Sequence, residues 1–275
     1  MYSIDHGTDQ FRQPFSTMIE DASVCADPFP HIQINDFQPD SAPIDVWQHM
    51  PDDQLYDWCR NNGHRGLFSL SPENLRVLPE SSQAFWLDIR RHFLADEFAT
   101  TMLAKFGPSA HRVLTERCGT VDNDYRIFSE LKLLRDRPGY QHPSHVDHPS
   151  VLLICLLYLP RDDENRELGT QLYLPNDQTL KCTGGIHYGN AEFRCQRQIP
   201  YQFGSGVCIP ATAASFHGLN DGNPIPNQRD LMALTIKVEQ SSSAFGMRRL
   251  YRRFRGSRSA PITLTADYLN RLHQG

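Results

Sequence analysis

The chain has 275 residues, 39% of them apolar and 21% charged, with 27 Lys and Arg against 32 Asp and Glu, for a net charge of −5. That length, with 15 Phe, 10 Tyr and 3 Trp, suffices for one sizeable core, and the acidic balance excludes a nucleic-acid binder held by overall charge. The longest apolar run, Val151 to Leu159, is too short to cross a bilayer as a helix, and the first 30 residues lack the apolar segment of a signal peptide.

Residues 1–27 read as a polar lead-in. In Pro28 to Phe37, Phe29, His31, Gln33 and Asn35 alternate with Ile32 and Ile34, a period of two that predicts a strand. Residues 28–120 are otherwise expected to be mainly helical. Ser71-Pro72-Glu73 offers a helix N-cap followed by Pro, and Phe85, Trp86, Ile89, Phe93, Met102, Leu103 and Phe106 recur at three- and four-residue spacing until Gly107-Pro108 closes the pattern.

Past Pro108 the character changes. Tyr125 to Arg135, Val151 to Leu159, Gln171 to Leu174, Val207 to Ile209 and Leu231 to Val238 are short β-type runs separated by Pro, Gly, Asn and Asp. Strands without helical crossovers predict an antiparallel jelly roll over 121–240, and helices followed by strands make one α+β domain spanning 1–275. The tail, 241–275, is separate in composition. Arg248, Arg249, Arg252, Arg253, Arg255 and Arg258 cluster there, with Met247, Leu250, Tyr251 and Phe254 on one helical face. It is expected to pack as an amphipathic helix with a solvated basic face or to meet an anionic partner, such as an acidic carrier protein.

The seven cysteines are widely spread and form no C-x-x-C pair, which fits reduced thiols and a cytoplasmic protein rather than a disulfide framework or a zinc ribbon. Chemistry is suggested instead by His145-x-Asp147. A lone H-x-D means little in a chain with 12 His. This one lies in a Pro-rich turn between two β-type runs, followed by Phe216-His217-Gly218 and then by Arg229 at the opening of the last apolar strand. Two His and one carboxylate are the composition of a facial triad for non-haem Fe(II), which leaves positions for a bidentate 2-oxo acid and O2. Arg229 is placed to form a two-pronged contact with the far carboxylate of 2-oxoglutarate. His142, His145 and His148 recur every third residue, but Pro143 and Pro149 argue against a helix that would align them on zinc.

Seven pieces in order, Gly139-Tyr140, His145-Val-Asp147, Leu156-Leu-Tyr-Leu-Pro160, Gly169-Thr-Gln-Leu-Tyr173, Pro200 with Gly206, Phe216-His217-Gly218 and Arg229, resemble the 2-oxoglutarate and Fe(II)-dependent dioxygenases, in their prolyl-hydroxylase-like branch. Phe29-Pro-His-Ile resembles the opening strand of small members. The resemblance covers about Tyr125 to Val238 and implies a double-stranded β-helix, cupin-like core with supporting N-terminal helices. It implies His145, Asp147 and His217 as catalytic iron ligands, Arg229 and Tyr158 as contacts to 2-oxoglutarate, and Fe(II), 2-oxoglutarate and O2 as what the reaction uses. The second 2-oxoglutarate contact is left between Arg135 and Gln171, because the usual Gly-Gly is Gly169-Thr170 and the usual tyrosine falls near Leu134 or Arg135.

The function expected on this resemblance is hydroxylation of an unactivated C–H bond of a small molecule, an amino acid, nucleotide or carrier-bound metabolite, with release of succinate and CO2. Asp147 favours this over halogenation, since related halogenases carry Gly or Ala there. Two alternatives are a prolyl-type protein hydroxylase and a non-enzymatic metal-binding module of the same fold. A small-molecule enzyme calls for a covered pocket, for which Lys181 to Arg197, with Gly184-Gly185 as hinge, is the candidate lid.

Overall fold

The computed structural model describes residues 15–35, 37, 46–60, 63–118, 124–162, 164–239 and 258–274. The chain first lays down helices. α1 (Phe15–Asp21) falls inside the expected polar lead-in, and it forms because Ile19 is wholly buried against α4. α2 (Pro72–Leu75) starts where Ser71 Oγ accepts the Asn74 backbone N–H at 3.1 Å. α3 (Glu80–Phe93) buries Trp86, Ile89 and Phe93. α4 (Asp96–Cys118) does not stop at Gly107-Pro108 as predicted. Gly107 takes φ 31°, ψ −104°, a kink that glycine tolerates, and the apolar stripe resumes with Ala110, Val113 and Leu114.

The strands make two antiparallel sheets. The main sheet runs β1 (Ile32–Ile34), β9 (Gly206–Pro210), β6 (Val151–Tyr158), β11 (Arg229–Val238), β4 (Tyr125–Asp136), β3 (Arg65–Ser69) and β2 (Asp57–Arg60); β12 (Ile262–Leu264) also pairs with β4. The smaller sheet runs β5 (His142–His145), β10 (His217–Leu219), β7 (Gln171–Pro175) and β8 (Phe193–Gln198). From β4 to β11 the chain repeatedly passes between the sheets. This is the double-stranded β-helix, an antiparallel jelly roll with supporting helices. β2 and β3 correct the expectation of helix across 57–69: β3 pairs with β4 from Arg65 opposite Asp136 to Ser69 opposite Lys132, covering an edge that would otherwise be open. A last helix, α5 (Ala266–Gln274), follows β12 and packs on α4.

Alternation assigns each residue of β4 to a face. Ile127, Leu131 and Leu133 join the core shared with the helices. Leu134 instead joins Leu156, Tyr158, Leu231 and Ala233 between the two sheets. Among the described residues no helix is long and apolar enough to cross a membrane. Arg248 to Arg255, the bulk of the basic tail, lie outside the described residues. Arg258 is described, and it bonds through Nε to Glu130 Oε1 at 3.0 Å.

Candidate active site

His145 ends β5 and His217 opens β10, and the antiparallel register sets them directly opposite each other. Opposed residues share a face, so the two imidazoles meet with ring centroids 4.4 Å apart. Asp147, two residues past the end of β5, turns back toward them. Its Oδ1 lies 4.0 Å from His145 Nε2 and its Oδ2 3.6 Å from His217 Nε2. One ligand atom from each of the three falls within 4.8 Å of the other two.

The backbone fixes which nitrogen each histidine presents. His145 Nδ1 lies 3.0 Å from the Pro143 carbonyl and His217 Nδ1 3.0 Å from the Ser215 carbonyl. A carbonyl only accepts, so Nδ1 carries a proton in both rings, and Nε2 is the atom that each ring turns toward Asp147. Burial, followed by the neighbouring His217 and His187, holds His145 well below the ordinary imidazole pKa and so neutral. Asp147 Oδ2 is buried and accepts no hydrogen bond. Two imidazoles oriented by backbone carbonyls and an unsatisfied carboxylate oxygen are a donor set that a divalent cation completes. The site is a two-histidine, one-carboxylate face.

Arg229 is 3% exposed, at the start of β11 and opposite Asp136 at the end of β4. Its NH1 donates to Asp136 Oδ2 at 3.1 Å, while its Nε is buried without a hydrogen-bond partner. Arg65, from β3, grips the same carboxylate with both prongs, at 2.5 and 2.8 Å, and lies over the Tyr140 ring at 4.2 Å. Two guanidinium groups, Arg229 buried and Arg65 14% exposed, therefore share the one carboxylate of Asp136, two positive charges against one negative. Tyr158, wholly buried, accepts the Thr170 backbone N–H on its hydroxyl at 2.9 Å, with its ring centroid 5.6 Å from the Arg229 guanidinium carbon. Gly169 permits this packing, since a Cβ there would stand 1.5 Å from the Ile199 carbonyl oxygen.

Neither residue considered for a second anion contact faces this space. Arg135 is on the opposite face of β4 from Asp136, where it bonds Asp230 at 2.7 Å and Asp53 at 2.6 Å and covers the Tyr56 ring. Gln171 is also turned away, because its neighbour Leu172 is the residue opposite His217; the Gln171 side-chain oxygen Oε1 accepts from the Tyr173 hydroxyl and the Asp221 N–H. Sequence reasoning did not single out Arg65, Asp136 or His187. His187 stacks on His145 at 4.9 Å with the rings 15° apart. His142 sits 4.1 Å from His145, and His148 is exposed and bonds Ser150.

The candidate lid, Lys181 to Arg197, contains a strand. Phe193–Gln198 is β8, paired to β7, and the preceding segment is pinned beside β5 by Cys182 N–H to the Ala213 carbonyl, Gly185 N–H to the Val146 carbonyl and Tyr188 N–H to the Ser144 carbonyl. In this arrangement the segment lies next to His145, with His187 stacked on its ring.

No family model and no curated protein matches the chain. Solved structures similar to it include a prolyl-4-hydroxylase from Pseudomonas putida, 11% identical over 82% of this chain and 99% of that one, with a TM-score of 0.39. The non-heme alpha ketoglutarate dependent epimerase SnoN from nogalamycin biosynthesis is also 11% identical, over 84% of each chain, with a TM-score of 0.39. The carbocyclase SnoK from the same biosynthesis is 13% identical over 74% of this chain and 77% of that one, with a TM-score of 0.37.

Proposed function

We propose that the protein is an Fe(II)- and 2-oxoglutarate-dependent oxygenase that hydroxylates an unactivated C–H bond of a small molecule. The observation that carries this reading is the pairing of two features in one barrel: the three-residue face of His145, Asp147 and His217, and the positively charged end built by Arg229, Arg65 and Asp136. His145 and His217 would hold the metal through Nε2, each oriented by its carbonyl partner, and Asp147 would neutralise part of the metal charge. Arg229 would receive the distal carboxylate of 2-oxoglutarate on its unpartnered Nε and adjoining NH group, in the forked geometry that Lys lacks. The Tyr158 phenol lies beside the same position. When bound, iron, 2-oxoglutarate and O2 supply the oxidation, with succinate and CO2 released.

The chain's own residues then position substrate and exclude water. The side chains of His145, Asp147 and His217 are 7%, 15% and 4% exposed, and the wall from Cys182 to Tyr188 runs along β5 beside them. So enclosed a centre suits a small substrate better than a polypeptide lying in an open groove.

The test is anaerobic binding of Fe(II) and 2-oxoglutarate, followed by succinate release in air across a panel of amino acids, nucleotides and carrier-bound acyl groups. Wild type is expected to bind one Fe(II) and to release succinate, and Asp147→Ala to do neither. Substrate-coupled turnover in Asp147→Ala, or no 2-oxoglutarate binding by the Fe(II)-loaded wild type, would overturn the reading.

A further inference from the structure

Beyond Leu134 and Leu231 the inner face of the main sheet becomes charged again. Residues of β4 on Leu134's face are Lys132, Glu130 and Phe128; across the register they oppose Ala233, Thr235 and Lys237 of β11. Glu130 Oε2 accepts from Lys132 Nζ at 2.8 Å and from Lys237 Nζ at 2.7 Å, and Oε1 accepts from Arg258 Nε at 3.0 Å. Arg258 also lies over the Phe128 ring at 4.2 Å. Three cations thus converge on one carboxylate. The Glu130 side chain is 3% exposed, while those of Lys132, Lys237 and Arg258 are 17–21% exposed.

The register locates this cluster relative to the metal ligands. Lys237 pairs with Val151, the first residue of β6, and the neighbouring Val238 N–H donates to the Ser150 carbonyl at 2.9 Å. That end of β11 is therefore fastened to the loop that carries Asp147, whereas Arg229 lies eight residues back, about 26 Å along an extended strand. The inner face holds one cationic group at its Arg229 end and a second beside the metal-binding loop. The first suits the distal carboxylate of 2-oxoglutarate, and the second is not used by that co-substrate contact.

We infer that Lys132, Lys237 and Arg258 form a seat for an oxyanion, a carboxylate or a phosphate, carried by the substrate. Glu130 keeps the three cations ordered while the seat is empty, and an incoming oxyanion shares them with it, held by charge-assisted hydrogen bonds. The substrate is then an anionic small molecule whose charged end is anchored beside the Asp147 loop, leaving the C–H bond to be oxidised at the metal. Calling the ligand a substrate rests on the oxygenase reading; the anion seat itself does not.

The test is calorimetric titration of inorganic phosphate and of acetate into the full-length protein, with and without Fe(II) and 2-oxoglutarate under anaerobic conditions. Wild type is expected to bind one equivalent of at least one probe, and the tighter of the two identifies phosphate or carboxylate as the group recognised. Lys237→Met should weaken that binding at least tenfold, and Lys237→Arg should restore most of it. Glu130→Gln removes the competing carboxylate and should tighten binding about tenfold, an effect that a purely structural ion cluster does not produce. The inference is overturned if neither probe binds, if Lys237→Met binds as wild type does, or if the probes displace 2-oxoglutarate competitively, which would make the cations part of the co-substrate site. Phosphate or acetate held by wild type and lost in Lys237→Met, with no 2-oxoglutarate binding at all, would leave the anion seat standing and remove the oxygenase reading.

Discussion

Glu130 provides a test of the electrostatics of the inner face that needs no substrate. Burial alone would raise its pKa, but Lys132 and Lys237 outweigh burial and hold it at about 2, against an ordinary value of 4.5. A carboxyl depressed in the folded state stabilises that state wherever the unfolded chain is already ionised. The contribution is therefore complete above about pH 5 and is lost as the pH falls from about 4.5 toward about 2. At about 1.4 kcal/mol per pKa unit the difference is worth about 3 kcal/mol. Glu130→Gln should thus be about 3 kcal/mol less stable than wild type at pH 7 in urea unfolding followed by circular dichroism. The gap should narrow steadily below about pH 4.5, because the wild-type carboxyl is being protonated and the variant has nothing to protonate. A gap that stayed constant from pH 7 to pH 3, or its absence at pH 7, would refute the assignment of Glu130 as the charged centre of the cluster.

The other expectations concern the site itself. Arg229→Met should raise the 2-oxoglutarate concentration for half-maximal succinate release by about 10- to 100-fold, the loss of a charge-assisted contact, with Arg229→Lys in between; an unchanged requirement would take Arg229 out of that role. Asp136→Asn leaves Arg65 and Arg229 buried without their counter-charge and should cost about 3–5 kcal/mol in thermal or denaturant unfolding, whereas surface carboxylates such as Asp88 should cost less than 1 when neutralised. His187→Ala should leave Fe(II) stoichiometry at one by metal analysis, and His217→Ala should abolish it. The reverse result would move the metal to the neighbouring group of His142, His145 and His187.

The legible part of the site was the part written in short range. His145 and Asp147 are two residues apart, and the turn between two β-type runs already says that both side chains project from one strand end. The order of β-type runs likewise contained the jelly roll. What was not legible depends on register between segments far apart in the chain. Asp136 and Arg65 meet Arg229 only because β4 lies between β3 and β11 with Arg65, Asp136 and Arg229 at one level, which no local pattern announces. The strands at 57–69 were read as helix for the same reason: their extended form is set by pairing with β4, not by their own spacing.

Face parity explains why the two candidates for a second anion contact failed together. Arg135 and Gln171 each sit one residue away from a position that points inward, and a shift of one residue on a strand inverts the side chain. The same rule, applied forward along β4, shows why the inner face cannot be described by its apolar residues alone. From Asp136 it reads Asp, Leu, Lys, Glu, Phe at every second position, so a run that looks like a mixed surface strand becomes a lining in which apolar Leu134 separates the charged Asp136 from the charged pair Lys132 and Glu130. One end meets Arg65 and Arg229. The other gathers Lys132, Lys237 and Arg258 around Glu130, on the side of the sheet tied to the metal-binding loop. Both charged groups lie on a surface that otherwise buries Leu and Tyr, where a charge persists only if something satisfies it. Asp136 and Glu130 do this within the chain, each by accepting from more than one cation.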